Sequence, residues 1–344
     1  MLKALRLSSC GGIFMRKMMV AVGLLLLALM IACPAAQTQA NMSSKTPIAG
    51  GGSLQGCPML PADHILNTAV NTLPVDRNSS MYINSLGSAI DLHPDFGTVY
   101  EGAPIGIPYI TVPSTQAGVS VSFEQPDESD PGPYPIPANP PIEGGANSSG
   151  DRHVLVAQMG RCKLFELFAA YPQAGNAWRA YSGAVWDLRS NALRPETWTS
   201  GDAAGLPILP LLVRFDEVQA GEIKHAIRFT AVRTRTAYVW PARHQAGASS
   251  DASLPAMGQR FRLKASVNIG SFSKTLQVLF KAMKTYGLIL ADNGSNWYIG
   301  GAPDSRWNDD ELVTGFAKLQ GSDFEAVDVS SLMVNPNSGQ AKRP

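Results

Sequence analysis

Charge is what this chain has least of. Asp, Glu, Lys and Arg make up 16% of its 344 residues, against roughly 25% in an ordinary soluble domain. The formal net charge is +1, which provides no concentrated basic surface and excludes nucleic acid as a partner class. Long charged helices are excluded too, because 32 Gly and 25 Pro break helices and build turns. Several motifs are absent: there is no Gly-x-Ser-x-Gly elbow, no GxxxxGK[ST] loop, no HExxH and no Cys-x-x-Cys pair. Elbow hydrolases, nucleotide sites and zinc proteases are left without support, and no metal or cofactor is expected.

What is present begins with an export signal. Met15 to Cys33 reads MRKMMVAVGLLLLALMIAC. Arg16 and Lys17 form a positive start, Val20 to Ile31 is uncharged and apolar, and a small residue precedes the cysteine. The run is short for a membrane span and has the order of a secretory signal. Met30-Ile31-Ala32-Cys33 resembles a bacterial lipobox with Met in the usual Leu position, so Cys33 is the expected lipidation site and the membrane is met through a lipid anchor only. The alternative is cleavage after Thr38-Gln39-Ala40 and free secretion, and Met15 is a second possible start. The expected organisation is a signal peptide over 1–32, or to near 40, then a flexible tether over 33–56. A single β-rich domain follows over 57–330, and a disordered tail over 331–344. The protein is thus expected in the periplasm or outside the cell. Loss of Lys3, Arg6, Arg16 and Lys17 leaves 24 cations against 27 acids, so the mature charge is about −3. Cys57 and Cys162 remain, and an oxidising compartment lets them pair, with two buried thiols as the alternative.

Alternation of apolar and polar residues marks the strands. Asp151–Phe168 reads as a hairpin turning at Met159-Gly160, which sets His153 opposite Glu166. Glu222–Thr230 places Ile223, His225, Ile227 and Phe229 on one face, with Arg228 and Thr230 on the other. Gln259–Val267 alternates most regularly, with Arg260, Arg262 and Lys264 outward as a solvated basic stripe. Ser273–Tyr286 is the clearest helix, capped by Ser273 and ended by Gly287; Arg77–Ser88 and Asp309–Leu319 hold shorter ones. The proline-dense Glu124–Gly145 carries Tyr134 and Ile136 and is expected to be an ordered loop packed over the domain. Strands dominate, so the expected fold is mainly β, a β-sandwich (jelly-roll-like) with a few peripheral helices.

The segments ESDPGPYPIP, GDRHVLV, SGAVWDLRSNALRP, GEIKHAIRFT and ADNGS resemble a group of uncharacterised exported bacterial proteins. That resemblance implies export and a shared domain, and it brings no reaction and no functional residues with it.

The chemistry-bearing residues fit a cell-envelope enzyme acting on carbohydrate, either a glycoside hydrolase or a polysaccharide lyase. His153, Glu166, His225 and Asp292 are the candidates for proton transfer, with Arg228 for substrate charge. Trp198 and Trp297, in polar loops, are candidate sugar-stacking rings. Asp91, His93 and Asp95, and separately Asp127, Glu128 and Asp130, have the residue types of metal ligands but read as structural hydrogen bonds and a solvated acidic loop. The competing reading is a non-catalytic glycan-binding or scaffold protein on the same fold.

Overall fold

The computed structural model describes residues 51–342. The expected signal segment, Cys33 and the first part of the expected tether lie outside them. Seventeen strands occur in chain order: β1 (Ser53–Leu54), β2 (Cys57–Pro58), β3 (His93–Asp95), β4 (Val99–Tyr100), β5 (Ala103–Pro104), β6 (Tyr109–Val112), β7 (Val121–Phe123), β8 (Val154–Gln158), β9 (Lys163–Phe168), β10 (Tyr171–Gln173), β11 (Ala177–Ala180), β12 (Ser182–Asp187), β13 (Ile227–Ala231), β14 (Arg260–Leu263), β15 (Leu288–Asn293), β16 (Tyr298–Gly300) and β17 (Phe324–Val327). The α-helices are α1 (Ser79–Leu86), α2 (Phe215–Ala220), α3 (Lys274–Thr285) and α4 (Asp309–Phe316). Strand accounts for 28% and helix for 17%, so the fold is mainly β and sandwich-like, with helices at its periphery.

A four-stranded sheet runs β12-β9-β8-β6. Its two central strands, β9 and β8, are buried on both faces, which is why VLVA and LFELF read as nearly continuous apolar runs. Leu155, Ala157, Leu164, Ala184 and Trp186 face the main core. Val154, Val156, Phe165 and Leu167 face a second, smaller core. That second core is closed by β7 and β11 and by Tyr134 and Ile136 of the proline-rich segment, both almost fully buried. The prolines thus belong to a packed wall, as expected.

A six-stranded mixed sheet runs β17-β14-β15-β13-β16-β3. One of its faces carries Ile227, Phe229, Phe261, Leu288, Leu290 and Ile299, all wholly buried in the main core. The other face carries Arg228, Thr230, Arg260 and Arg262. It is also covered, which corrects the expectation of a solvated stripe. Arg260 donates to the carbonyls of Tyr286 and Ile65, and Arg262 to those of Val70 and Leu73. Burial pulls Arg260 down to about 9.

Ser273 caps α3 as its sequence requires, with Oγ accepting from the Leu276 N–H. Cys57 and Cys162 form a disulfide across 105 residues, tying the β1–β2 hairpin to the turn between β8 and β9. Two boundaries differ from expectation. Gly51–Gly56 already belongs to the fold through β1. The segment after 330 is packed as far as it is described: Leu332 and Ala341 are buried, Gly339 N–H donates to Asn191 O, and Ser338 O accepts from the Trp240 indole.

Candidate functional site

The polar face of the six-stranded sheet assembles the site in two adjacent rows. In the first, Asp292 of β15 lies opposite Thr230 of β13, Thr230 opposite Tyr298 of β16, and Tyr298 opposite His93 of β3. A register shift between Phe229 and Thr230 makes this row possible, since it pairs Thr230 with Asp292 in place of Ala291. Unbroken alternation would have turned Asp292 to the apolar face. In the second row Gly300 lies opposite Asp95, and Arg228 falls beside Gly300. A Cβ on Gly300 would meet Arg228 Cγ at 2.7 Å and its guanidinium at 2.9 Å, so glycine makes the room the arginine occupies.

Loops and the edge of the four-stranded sheet bring the remaining charges. Arg228 donates from Nε to Asp202 Oδ2 at 2.9 Å and from its terminal nitrogen to Asp202 Oδ1. Asp202 is fully buried. The same guanidinium lies 4.0 Å from Asp292 Oδ2. His153 lies one residue ahead of β8, with Nδ1 2.5 Å from Glu143 Oε2 and Nε2 2.9 Å from Gly201 O. Both neighbours are acceptors, so both nitrogens carry protons and the ring is an imidazolium. Arg152 holds the loop that presents Glu143, bonding to the carbonyls of Ala146, Ser148 and Ala170.

These contacts set the titration of the site. Burial alone would lower His153, but the Glu143 carboxylate outweighs it and pushes the imidazole up to about 10. Burial likewise opposes ionisation of Glu143, and His153 reverses this and holds it below its ordinary value. Asp292 is raised to about 7, first by burial and then by the Asp202 carboxylate, against the pull of Arg228. Asp95 is raised by the protein mass around it and by Glu143, again against Arg228. Asp292 keeps 20% of its side-chain surface open, and so combines solvent access with a near-neutral titration point. Glu143, Asp151 and His153 bring ligand-type atoms within 4.8 Å of one another. The His153 nitrogen on that side is taken by Glu143, so the cluster is a His153–Glu143 ion pair with Asp151 nearby.

The structure brings His153, Arg228 and Asp292 together and buries Glu166, His225 and Trp297 in contacts of their own. The hairpin pairs Leu155 with Glu166, two residues from the expected register, so His153 and Glu166 are not cross-strand partners. Glu166 is fully buried and accepts from the Trp186 indole and from the N–H groups of Ile208 and Leu209. It caps a 3-10 turn, and burial raises it to about 7. His225 is also fully buried. Its Nε2 lies 3.0 Å from Glu217 Oε2 and its Nδ1 2.7 Å from Ala226 O. Glu217 in turn pairs with Arg214 at 2.7 Å, so these three form a second, closed cluster. Trp297 is wholly buried, stacked on Phe229 at 5.4 Å, with its indole N–H donating to Gly87 O. It has no free face for a sugar. Trp198 is half-buried, with Arg194 5.4 Å from its ring centroid. Tyr298, half-buried and two strands along the row from Asp292, is stacked with His93 at 4.2 Å.

Glu143 and Asp202 were missed by sequence reasoning. Both lie in loops without periodicity, and the one local signal is the Ser200-Gly201-Asp202 turn, where the Asp202 N–H bonds to Ser200 Oγ. A separate groove of about 570 Å³ lies between α2 and α3, floored by Phe215, Val218 and Val278 and rimmed by Lys274 and Lys281; none of the charged residues of the site lines it. Set against known protein families, curated proteins and solved structures, the chain matches none of them.

Proposed function

We propose that this is a cell-envelope protein, exported and acting outside the cytoplasm, and that it is a carbohydrate-active hydrolase whose proton donor is Asp292. The observation that carries the reading is the environment of Asp292. It stands at a strand end, open to solvent, near neutrality, beside Arg228 and in one row with the Tyr298–His93 stack. A carboxyl group poised near 7 is suited to protonating a leaving oxygen, and an aromatic ring two strands along the same row suits the apolar face of a pyranose. The buried disulfide is compatible with the export signal. Among the described residues no helix is long and apolar enough to cross a membrane.

Charge favours hydrolysis over β-elimination of a uronate. The cations Arg228 and His153 are already paired with Asp202 and Glu143, and Asp292 meets Arg228 only at 4.0 Å. A histidine with both nitrogens engaged does not serve as a lyase base. Neutral glycans are therefore the favoured substrate class. The competing reading, a non-catalytic glycan-binding or scaffold protein, draws on the same pairing of the two cations, which leaves Asp292 to do the chemistry without them. A panel of neutral and acidic polysaccharides, assayed for new reducing ends and for unsaturated uronates, decides. New reducing ends on neutral glycans are expected. Binding without turnover would establish the binding module, and unsaturated products the lyase.

A further inference from the structure

Besides His93, which is stacked on Tyr298, His244 is the other histidine near this site with a partly open ring among the described residues. Its side chain is 27% accessible. Nδ1 lies 2.7 Å from Ala203 O, an acceptor only, so Nδ1 donates there and Nε2 is the ring nitrogen left open. That nitrogen lies 3.9 Å from Glu128 Oε2, and Glu128 is itself held by the Thr199 N–H at 3.1 Å. The nearby cations are turned elsewhere. Arg194 bonds Asp130 Oδ2 and Glu128 O, and Arg243 bonds Arg194 O and Pro336 O.

One short segment connects this ring to Asp292. Asp202 grips Arg228, Ala203 O holds His244, and Ala204 donates its N–H to Ala291 O at 2.9 Å, immediately before Asp292. The Arg243 and His244 N–H groups both donate to Ala204 O, and Asn293 Nδ2 donates to Ala246 O at 2.9 Å. The His244 segment and the end of β15 therefore run side by side.

We infer that His244 is the general base of the site, a role that rests on the hydrolase reading of Asp292. Nε2 takes a proton from a water molecule as its oxygen bonds to the anomeric carbon. The glycosidic C–O bond breaks, its electron pair stays on the leaving oxygen, and Asp292 gives that oxygen its proton. The imidazolium then returns its proton to solvent and Asp292 is reprotonated. Glu128 stabilises the transient imidazolium, and the Ala203 carbonyl fixes the tautomer.

The test is H244Q on the full chain, with H244A rescued by added imidazole. Expected results are a kcat about 10²–10⁴-fold lower, loss of the acid limb of the pH profile, partial rescue by imidazole and an unchanged melting temperature. Independently of activity, ¹⁵N NMR of the wild-type ring is expected to find the proton on Nδ1. Wild-type kcat in H244Q while D292N is inactive would overturn the base role and leave the hydrolase reading standing. An Nε2–H tautomer would also overturn the role. Absence of turnover by the wild-type protein on every glycan would overturn the hydrolase reading and the role together.

Discussion

Glu143 and His153 pair at the junction of the two large sheets, and each titrates away from its ordinary range because of the other. His153 is raised in the folded state, so its contribution to stability is complete below about 6.5 and is lost as pH rises towards 10. Glu143 is lowered, so its contribution is complete above about 4.5 and is lost as pH falls through its depressed value. The pair therefore stabilises most between those limits. E143Q leaves a buried imidazole facing an amide and is expected to lose on the order of 2–4 kcal/mol at pH 6. It is also expected to abolish the fall in stability that the wild-type protein undergoes between pH 7 and 10, as followed by urea denaturation. Asp292 works in the opposite sense. Its pKa is raised to about 7, so its ionised form costs the fold stability as pH climbs from about 4 to 7.

Among the elements, the proline-rich segment 124–145 is the one whose role is most open to test. Tyr134 is wholly buried, packs edge-on against Phe123 and Phe165 at 5.7 and 5.4 Å and donates its hydroxyl to Asp130 O. Y134A is expected to cost about 3–5 kcal/mol, measured by thermal or chemical unfolding; a linker would tolerate it without change. The segment was legible in the sequence because aromatic and aliphatic residues interleave with its prolines. The strand faces were legible as well. In the β8–β9 hairpin the expected register was wrong by two residues, because the turn spans Met159–Cys162 and Cys162, at φ 51°, is bonded to Cys57. A slip of two preserves parity, so the inward set of Leu155, Ala157, Leu164 and Glu166 survived the error. Trp297 was misread because its neighbours are polar. At φ 59° the chain turns there and drives the indole into the core, a tertiary outcome that local composition does not encode. Asp202 and Glu143 stayed hidden because loop residues acquire a role only from what the fold places against them.

For the whole molecule, the two sheets divide the labour. The four-stranded sheet, its central strands buried on both faces, is a wall that presents His153 just ahead of β8. The six-stranded sheet commits one face to the core and the other to buried charge, and its register shift delivers Asp292 to the polar side. A disulfide closing a loop of 105 residues, worth up to about 4–5 kcal/mol in the chain-entropy model, ties the N-terminal hairpin to that wall. The central claim is that this polar face is where a glycan is cut, with Asp292 as its acid. The kcat of D292N relative to wild type, on a glycan the wild-type protein hydrolyses, tests it most directly. A loss of about 10²–10⁴-fold is expected, in a protein that is at least as stable as wild type at pH 8. Turnover by D292N within a few fold of wild type would contradict it.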